Sequence, residues 1–148
     1  MHFKKSNDNQ STILHEGSVP YLTFKKLDQA GVRHGFSTRM GGVSEGMFSA
    51  LNLSYNRGDK KEAVDENFRR ISEAIGFDHT KLVFSNQIHE TRIHKVTKED
   101  CGKVMKDMDG LATNEQGIPL YTGYADCVPL FFYDPVEKVA ALAHSGWR

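Results

Sequence analysis

Cys127 and His144 are a thiol and an imidazole that the sequence itself brings together. Cys127 ends the triplet Ala125-Asp126-Cys127 and leads into an apolar run over residues 128–133. A second apolar run, over 139–143, leads straight into His144. The polar, turn-rich stretch 134–138 lies between them, so the two runs read as a β-hairpin. The midpoint of 127 and 144 is 135.5, inside that turn. Residues equidistant from a hairpin turn face each other across an antiparallel pair. The expectation is a direct Cys127–His144 pairing at the open end of the hairpin, as a metal site or as a nucleophile with its base.

His89, in Ser85-Asn86-Gln87-Ile88-His89-Glu90, falls in a loop between two predicted strands, where a side chain can reach a site built on a rigid scaffold. Two histidines and a cysteine form a tridentate zinc set with a fourth position for water or substrate. With a weak axial ligand the same donors suit copper. The spacings, 127 − 89 = 38 and 144 − 127 = 17, match no short metal-finger pattern. Taken alone, each residue has a plainer reading: a cysteine beside an apolar strand packs as a small hydrophobe, and a histidine is a hydrogen-bonded surface or core residue. Asp126 is the candidate acid/base or supporting residue, with an ordinary strand-end aspartate as the alternative. Arg39, next to Gly41-Gly42, has the chemistry to hold an anion, since glycines let backbone N–H groups approach a phosphate. The alternative for Arg39, and equally for Arg148, is a solvated side chain. His34, His79 and His94 carry no such pattern, and His2 and His15 fall in a polar N-terminal stretch.

These side chains need elements to position them. Residues 32–38 read as a strand and 39–47 as a glycine-rich loop. The clearest helix covers 60–75, with Asp59 and Glu62 as a capping box, an apolar stripe at Val64, Phe68, Ile71 and Ile75, and Gly76 as its stop. Further strands are expected at 81–84, 91–96, 120–122, 128–133 and 139–143. The last two are apolar at nearly every position, which predicts cover on both faces of a central sheet. One good helix and some short strands are too few to give that cover, so the chain reads as part of a longer protein. Residues 1–19 read as a flexible segment and 20–148 as a single domain.

Composition narrows the function classes. Nineteen basic and nineteen acidic residues cancel, which argues against a nucleic-acid or membrane-surface binder. No apolar stretch approaches the ~20 residues of a membrane helix. The N-terminus lacks a signal peptide's apolar core, and two cysteines make no disulfide framework. A cytoplasmic protein is expected, a monomer or else a dimer.

Motifs in order along the chain carry a resemblance: residues 34–39 (His-Gly-Phe-Ser-Thr-Arg), Gly41-Gly42-Val43-Ser44, Leu51-Asn52-Leu53-Ser54, Gly58-Asp59, Glu66-Asn67, Gln87-Ile88-His89, residues 109–113 (Asp-Gly-Leu-Ala-Thr), Ala125-Asp126-Cys127-Val128-Pro129 and residues 144–148 (His-Ser-Gly-Trp-Arg). Over residues 20 to 148 the chain resembles the bacterial laccase-domain or polyphenol oxidase family, whose members are also described as purine nucleoside phosphorylases. The resemblance implies an α+β fold, a layered α-β-β-α sandwich with mixed, largely antiparallel sheets, distantly like the cytotoxic necrotizing factor catalytic domain. It implies zinc, with Cu2+ as the alternative, on His89, Cys127 and His144. It also implies phosphorolysis of adenosine, inosine or S-methyl-5'-thioadenosine with some adenosine deamination; for that chemistry Asp126 and Cys127 are this chain's candidates for catalysis, and Arg39, Asn52 and Arg148 its candidates for substrate or phosphate binding. The chain departs from the family at Glu90, where glycine is common, and at Ser145, where alanine is common. Family members also continue beyond Gly-Trp-Arg. Three alternatives stand beside the phosphorylase: a copper polyphenol oxidase, a Cys127–His144 hydrolase or deamidase, and a nucleoside-binding module without turnover. Multi-copper centres are built from many imidazoles, and seven histidines with two in the tail count against the first.

Overall fold

A computed structural model of the chain describes residues 11–146. Its elements, in order, are β1 (Thr12–His15), β2 (Tyr21–Phe24), α1 (Lys25–Gln29), β3 (Phe36–Ser37), α2 (Lys61–Ile75), β4 (Val83–Ser85), β5 (Ile93–Lys95), β6 (Val104–Met105), β7 (Gly110–Thr113), β8 (Leu120–Tyr121), β9 (Val128–Asp134) and β10 (Val139–Ser145). This is a mixed α+β protein, as expected, with few helices and with both parallel and antiparallel strand pairs. Among the described residues no helix is long and apolar enough to cross a membrane. Within what the sequence reads as one domain, the chain divides into two compact units.

The first unit takes the described residues up to Asn52 together with Asp59–Ile75. Its sheet has the order β1-β2-β3, antiparallel throughout. The expected flexible stretch through residue 19 is corrected at Thr12–His15, which pair with Tyr21–Phe24 and stack the His15 ring on Tyr21 at 4.6 Å. The strand expected over 32–38 shortens to Phe36–Ser37. His34 accounts for this, because its Nε2 accepts the Phe24 N–H at 2.7 Å and its Nδ1 bonds the Val32 carbonyl at 2.8 Å, holding that stretch out of the ladder.

In α2 the apolar stripe behaves as its period requires, with Val64, Phe68 and Ile71 buried, and Gly76 leaves the helix at φ 89°. The Asp59–Glu62 capping box does not form. Asp59 Oδ2 instead accepts from the Ser44 hydroxyl at 2.6 Å and the Asn52 amide at 3.0 Å, and its Oδ1 accepts from the Lys60 N–H. Those bonds hold the Asp59 carboxyl below its usual range, Asn52 contributing most. The glycine-rich loop is tied to α2 as well. Arg70 donates to the Gly41 carbonyl, and Asn67, fully buried, bonds Val43, Ser44 and the Asn52 carbonyl. A Cβ at Gly41 would lie 2.2 Å from the Ser18 carbonyl oxygen, and one at Gly42 would lie 2.1 Å from that of Ala50. Close backbone packing therefore explains both glycines.

The second unit takes Leu53–Gly58 and the described residues from Gly76 onward. It has a four-stranded sheet, β5-β7-β10-β9, and a three-stranded parallel one, β6-β4-β8. β7 lies inside the larger sheet, parallel to β5 and antiparallel to β10. Val83, Val96 and Leu111 are fully buried and, with Met105, Ile118 and Leu120, draw both sheets into one core. The expected two-sided cover of the last strands is corrected at β9. It is an edge strand on which Val128, Leu130 and Phe132 are 55%, 36% and 53% exposed. Exposure alternates along β9 although polarity does not, so one of its faces lacks cover from the described residues.

Candidate metal centre

The hairpin of β9 and β10 is closed by the four residues 135–138. Asp134 Oδ1 accepts the N–H groups of Val136 and Glu137 at 2.8 and 3.1 Å, and Lys138 takes φ 54°. Asp134 is thus the last residue of the strand, paired with Val139, and the ladder is centred one residue later than the sequence reading places it. His144 faces Pro129 rather than Cys127. Cys127 lies two residues further along, diagonal to His144, and a diagonal neighbour is still within reach of a long side chain.

His89 arrives from the loop between β4 and β5. It has φ 61°, a left-handed conformation uncommon for a residue with a side chain. Ligand atoms of His89, Cys127 and His144 all lie within 4.8 Å of one another. The rings of His89 and His144 meet edge-on with centroids 4.5 Å apart. Tyr124 lies over His144 with its ring centroid at 6.2 Å and donates its hydroxyl to the Ala143 carbonyl at 3.1 Å. Burial pushes the Tyr124 phenol up.

The donors fit a metal on their own chemistry, since two imidazoles and a thiol are a tridentate set for zinc or copper. Asp109 strengthens the fit. Its carboxylate lies 3.3 Å from His144 Nδ1, and both side chains are only 3% exposed. A ligating histidine commonly gives its second ring nitrogen to such a carboxylate. Oδ1 of Asp109 also accepts the His89 N–H at 2.8 Å, and Oδ2 accepts that of Glu90 at 2.9 Å and that of Ile88 at 3.4 Å. Burial pushes the Asp109 carboxyl up, but these N–H groups and His144 outweigh it and hold it below its usual range. In the sequence Asp109 heads the 109–113 motif that helps carry the family resemblance, but no role is assigned to its side chain.

Asp126 is exposed, with an oxygen 3.6 Å from Cys127 Sγ. Burial first, then Asp126, push the Cys127 thiol up. Arg39 and Asn52 belong to the first unit. The guanidinium of Arg39, exposed, donates through Nε and Nη2 to the Ser49 carbonyl, and Asn52 donates to Asp59. Arg148 lies outside the described residues. His34 and His94 are engaged elsewhere, the latter 3.3 Å from Asp100.

A mixed α+β fold with a His-Cys-His cluster able to hold a metal ion defines the class of protein. Residues 33–148 match the multi-copper polyphenol oxidoreductase laccase family, and the chain belongs to that family. It is 41% identical over 121 residues to the purine nucleoside phosphorylase YlmD of Bacillus subtilis, covering 77% of this chain and 44% of that protein. The crystal structure of YlmD from Geobacillus stearothermophilus superposes with a TM-score of 0.85 at 35% identity, over 92% of this chain and 53% of that one. The crystal structure of the Bacillus licheniformis hypothetical protein YfiH superposes with a TM-score of 0.81 at 36% identity, over 86% of this chain and 49% of that one. The chain thus spans about half the length of the relatives it matches.

Proposed function

We propose that this chain carries the metal centre of a zinc-dependent purine nucleoside phosphorylase that acts on adenosine, inosine and S-methyl-5'-thioadenosine and also deaminates adenosine. The observation that carries the reading is the convergence of His89, Cys127 and His144 within 4.8 Å, in a chain 41% identical to a protein of that name. In phosphorolysis a phosphate oxygen bonds to C1' of the ribose as the C1'–N9 bond breaks, and the purine leaves with a proton. In deamination water adds at C6 and ammonia departs. When bound at His89, Cys127 and His144, zinc would supply Lewis acidity to the reacting group.

The chain's own residues hold and orient. His89, Cys127 and His144 supply the donor atoms, and Tyr124 shields one side of the His144 ring. Asp126, exposed beside Cys127, is the candidate for carrying a proton to or from the substrate. Arg39 is the candidate phosphate ligand. Its bonds to Ser49 use Nε and Nη2 and leave Nη1 as a further donor. A cytoplasmic location goes with this substrate class, and fractionation of the producing cells checks it.

The test is the purified chain with each nucleoside and inorganic phosphate, following free purine, ribose 1-phosphate and ammonia, with elemental analysis of bound metal. About one zinc per chain and phosphate-dependent release of free base are expected. Zinc-loaded protein that releases no base overturns the phosphorylase reading. Bound copper with oxygen-dependent oxidation of a phenol would favour an oxidase.

A further inference from the structure

Asp109 touches both histidines of the cluster. It holds His144 twice: its carbonyl accepts the His144 N–H at 2.8 Å, and its carboxylate lies 3.3 Å from His144 Nδ1. It holds His89 through the backbone, taking the N–H groups of Ile88, His89 and Glu90 on one buried carboxylate. That grip coincides with the left-handed turn at His89. Asp109 is itself fixed, since its own N–H donates to the Arg92 carbonyl at 2.9 Å next to β5.

We propose that Asp109 is the positioning residue of the metal centre, presetting the His144 tautomer and the His89 loop with one carboxylate so that both imidazoles arrive ready to bind. The inference rests on the metal reading above and extends it to a residue outside the ligand set. A carboxylate 3.3 Å from Nδ1 favours the proton on that nitrogen, which leaves Nε2 of His144 as the lone-pair nitrogen. A carboxylate oxygen that accepts several N–H groups has little left to offer an ion, so Asp109 supports the ligands and does not join them. Charge also balances, because the Asp109 carboxylate and a Cys127 thiolate together match a divalent ion.

Asparagine at 109 keeps the shape but replaces one accepting oxygen with an NH2 group, which opposes the backbone N–H groups of the loop. The experiment is zinc competition against a chromogenic chelator for the whole chain and for Asp109→Asn, with visible spectra of both proteins loaded with Co2+. A loss of about 10- to 100-fold in zinc affinity and altered cobalt bands are expected for the variant. Unchanged affinity and bands overturn the role of Asp109 and leave the metal reading standing. A second measurement needs no variant: long-range proton–nitrogen correlation spectra of the zinc-loaded chain. Ligation through Nε2 of His144 with the proton on Nδ1 is expected, and ligation through Nδ1 overturns the proposal even if Asp109→Asn does not fold. An unsubstituted chain that binds neither zinc nor copper removes the metal reading, and this inference with it.

Discussion

Asn67 donates to the Ser44 hydroxyl at 2.8 Å, and that hydroxyl donates onward to Asp59 at 2.6 Å. The carboxamide also accepts the Val43 N–H and donates to the Asn52 carbonyl, so one side chain of α2 satisfies both arms of the loop between Gly41 and Asn52. Removing it leaves buried partners unsatisfied, which costs about 1 to 3 kcal/mol for each such group. Asn67→Ala is expected to lower unfolding free energy by about 2 to 4 kcal/mol in urea titration. A change below ~1 kcal/mol would show that the loop has another anchor.

Leu111 plays the comparable part in the second unit. It is fully buried in β7, between β5 and β10, and shares its core with Val83 and Val96. Truncating a buried leucine costs the transfer energy of the lost atoms plus a cavity term, so Leu111→Ala is expected to cost about 2 to 5 kcal/mol. Phe132→Ala, on the exposed face of β9, is expected to cost less than ~1 kcal/mol. Parallel urea titrations check the contrast, and equal losses would mean that the face of β9 is covered in solution.

The α2 helix was legible because four apolar residues repeat at its period and a glycine ends it. The β9–β10 hairpin was legible from two apolar runs around a turn, but not its centre. Placing that centre depends on whether Asp134 ends the strand or begins the turn, and its side-chain bonds to Val136 and Glu137 decide this. β7 escaped notice because it is only four residues long and begins at a glycine, Gly110, although it lies inside the larger sheet. The cluster of His89, Cys127 and His144 was reached from residue types together with the family resemblance. Asp109 was not, since its role depends on contacts with residues twenty and thirty-five positions away in the chain.

Glu66 gives the first unit a predictable response to acid. It accepts from Arg69 and Arg70 on its own helix, and these two guanidinium groups hold its carboxyl down from 4.5 to about 2. A carboxyl depressed on folding stabilises the folded state fully above its unfolded value, and that contribution is lost as pH falls through the folded one. The melting temperature of the unsubstituted chain should therefore exceed that of Glu66→Gln at pH 6. The gap should narrow from about pH 4.5 down to about pH 2. Because Glu66 and both arginines are partly exposed, added salt should narrow it as well. A gap that stays constant over this range would mean that the pairs do not persist in solution.

Metal binding should appear as stability. A ligand that binds only the folded state stabilises it by RT ln(1 + [L]/Kd), about 4 kcal/mol at a thousandfold excess over Kd. Zinc is expected to raise the melting temperature of the unsubstituted chain, and a chelator to reverse the rise. Cys127→Ser replaces the thiolate with a poor zinc donor while leaving both histidines in place, so the same titration should give little or no rise. The unsubstituted chain and the variant should melt alike without metal, since Cys127 lies just outside β9 and its nearest polar contact is the exposed Asp126. An equal zinc-induced rise in both proteins would place the ion elsewhere, and a variant that melts early without metal would assign Cys127 to packing.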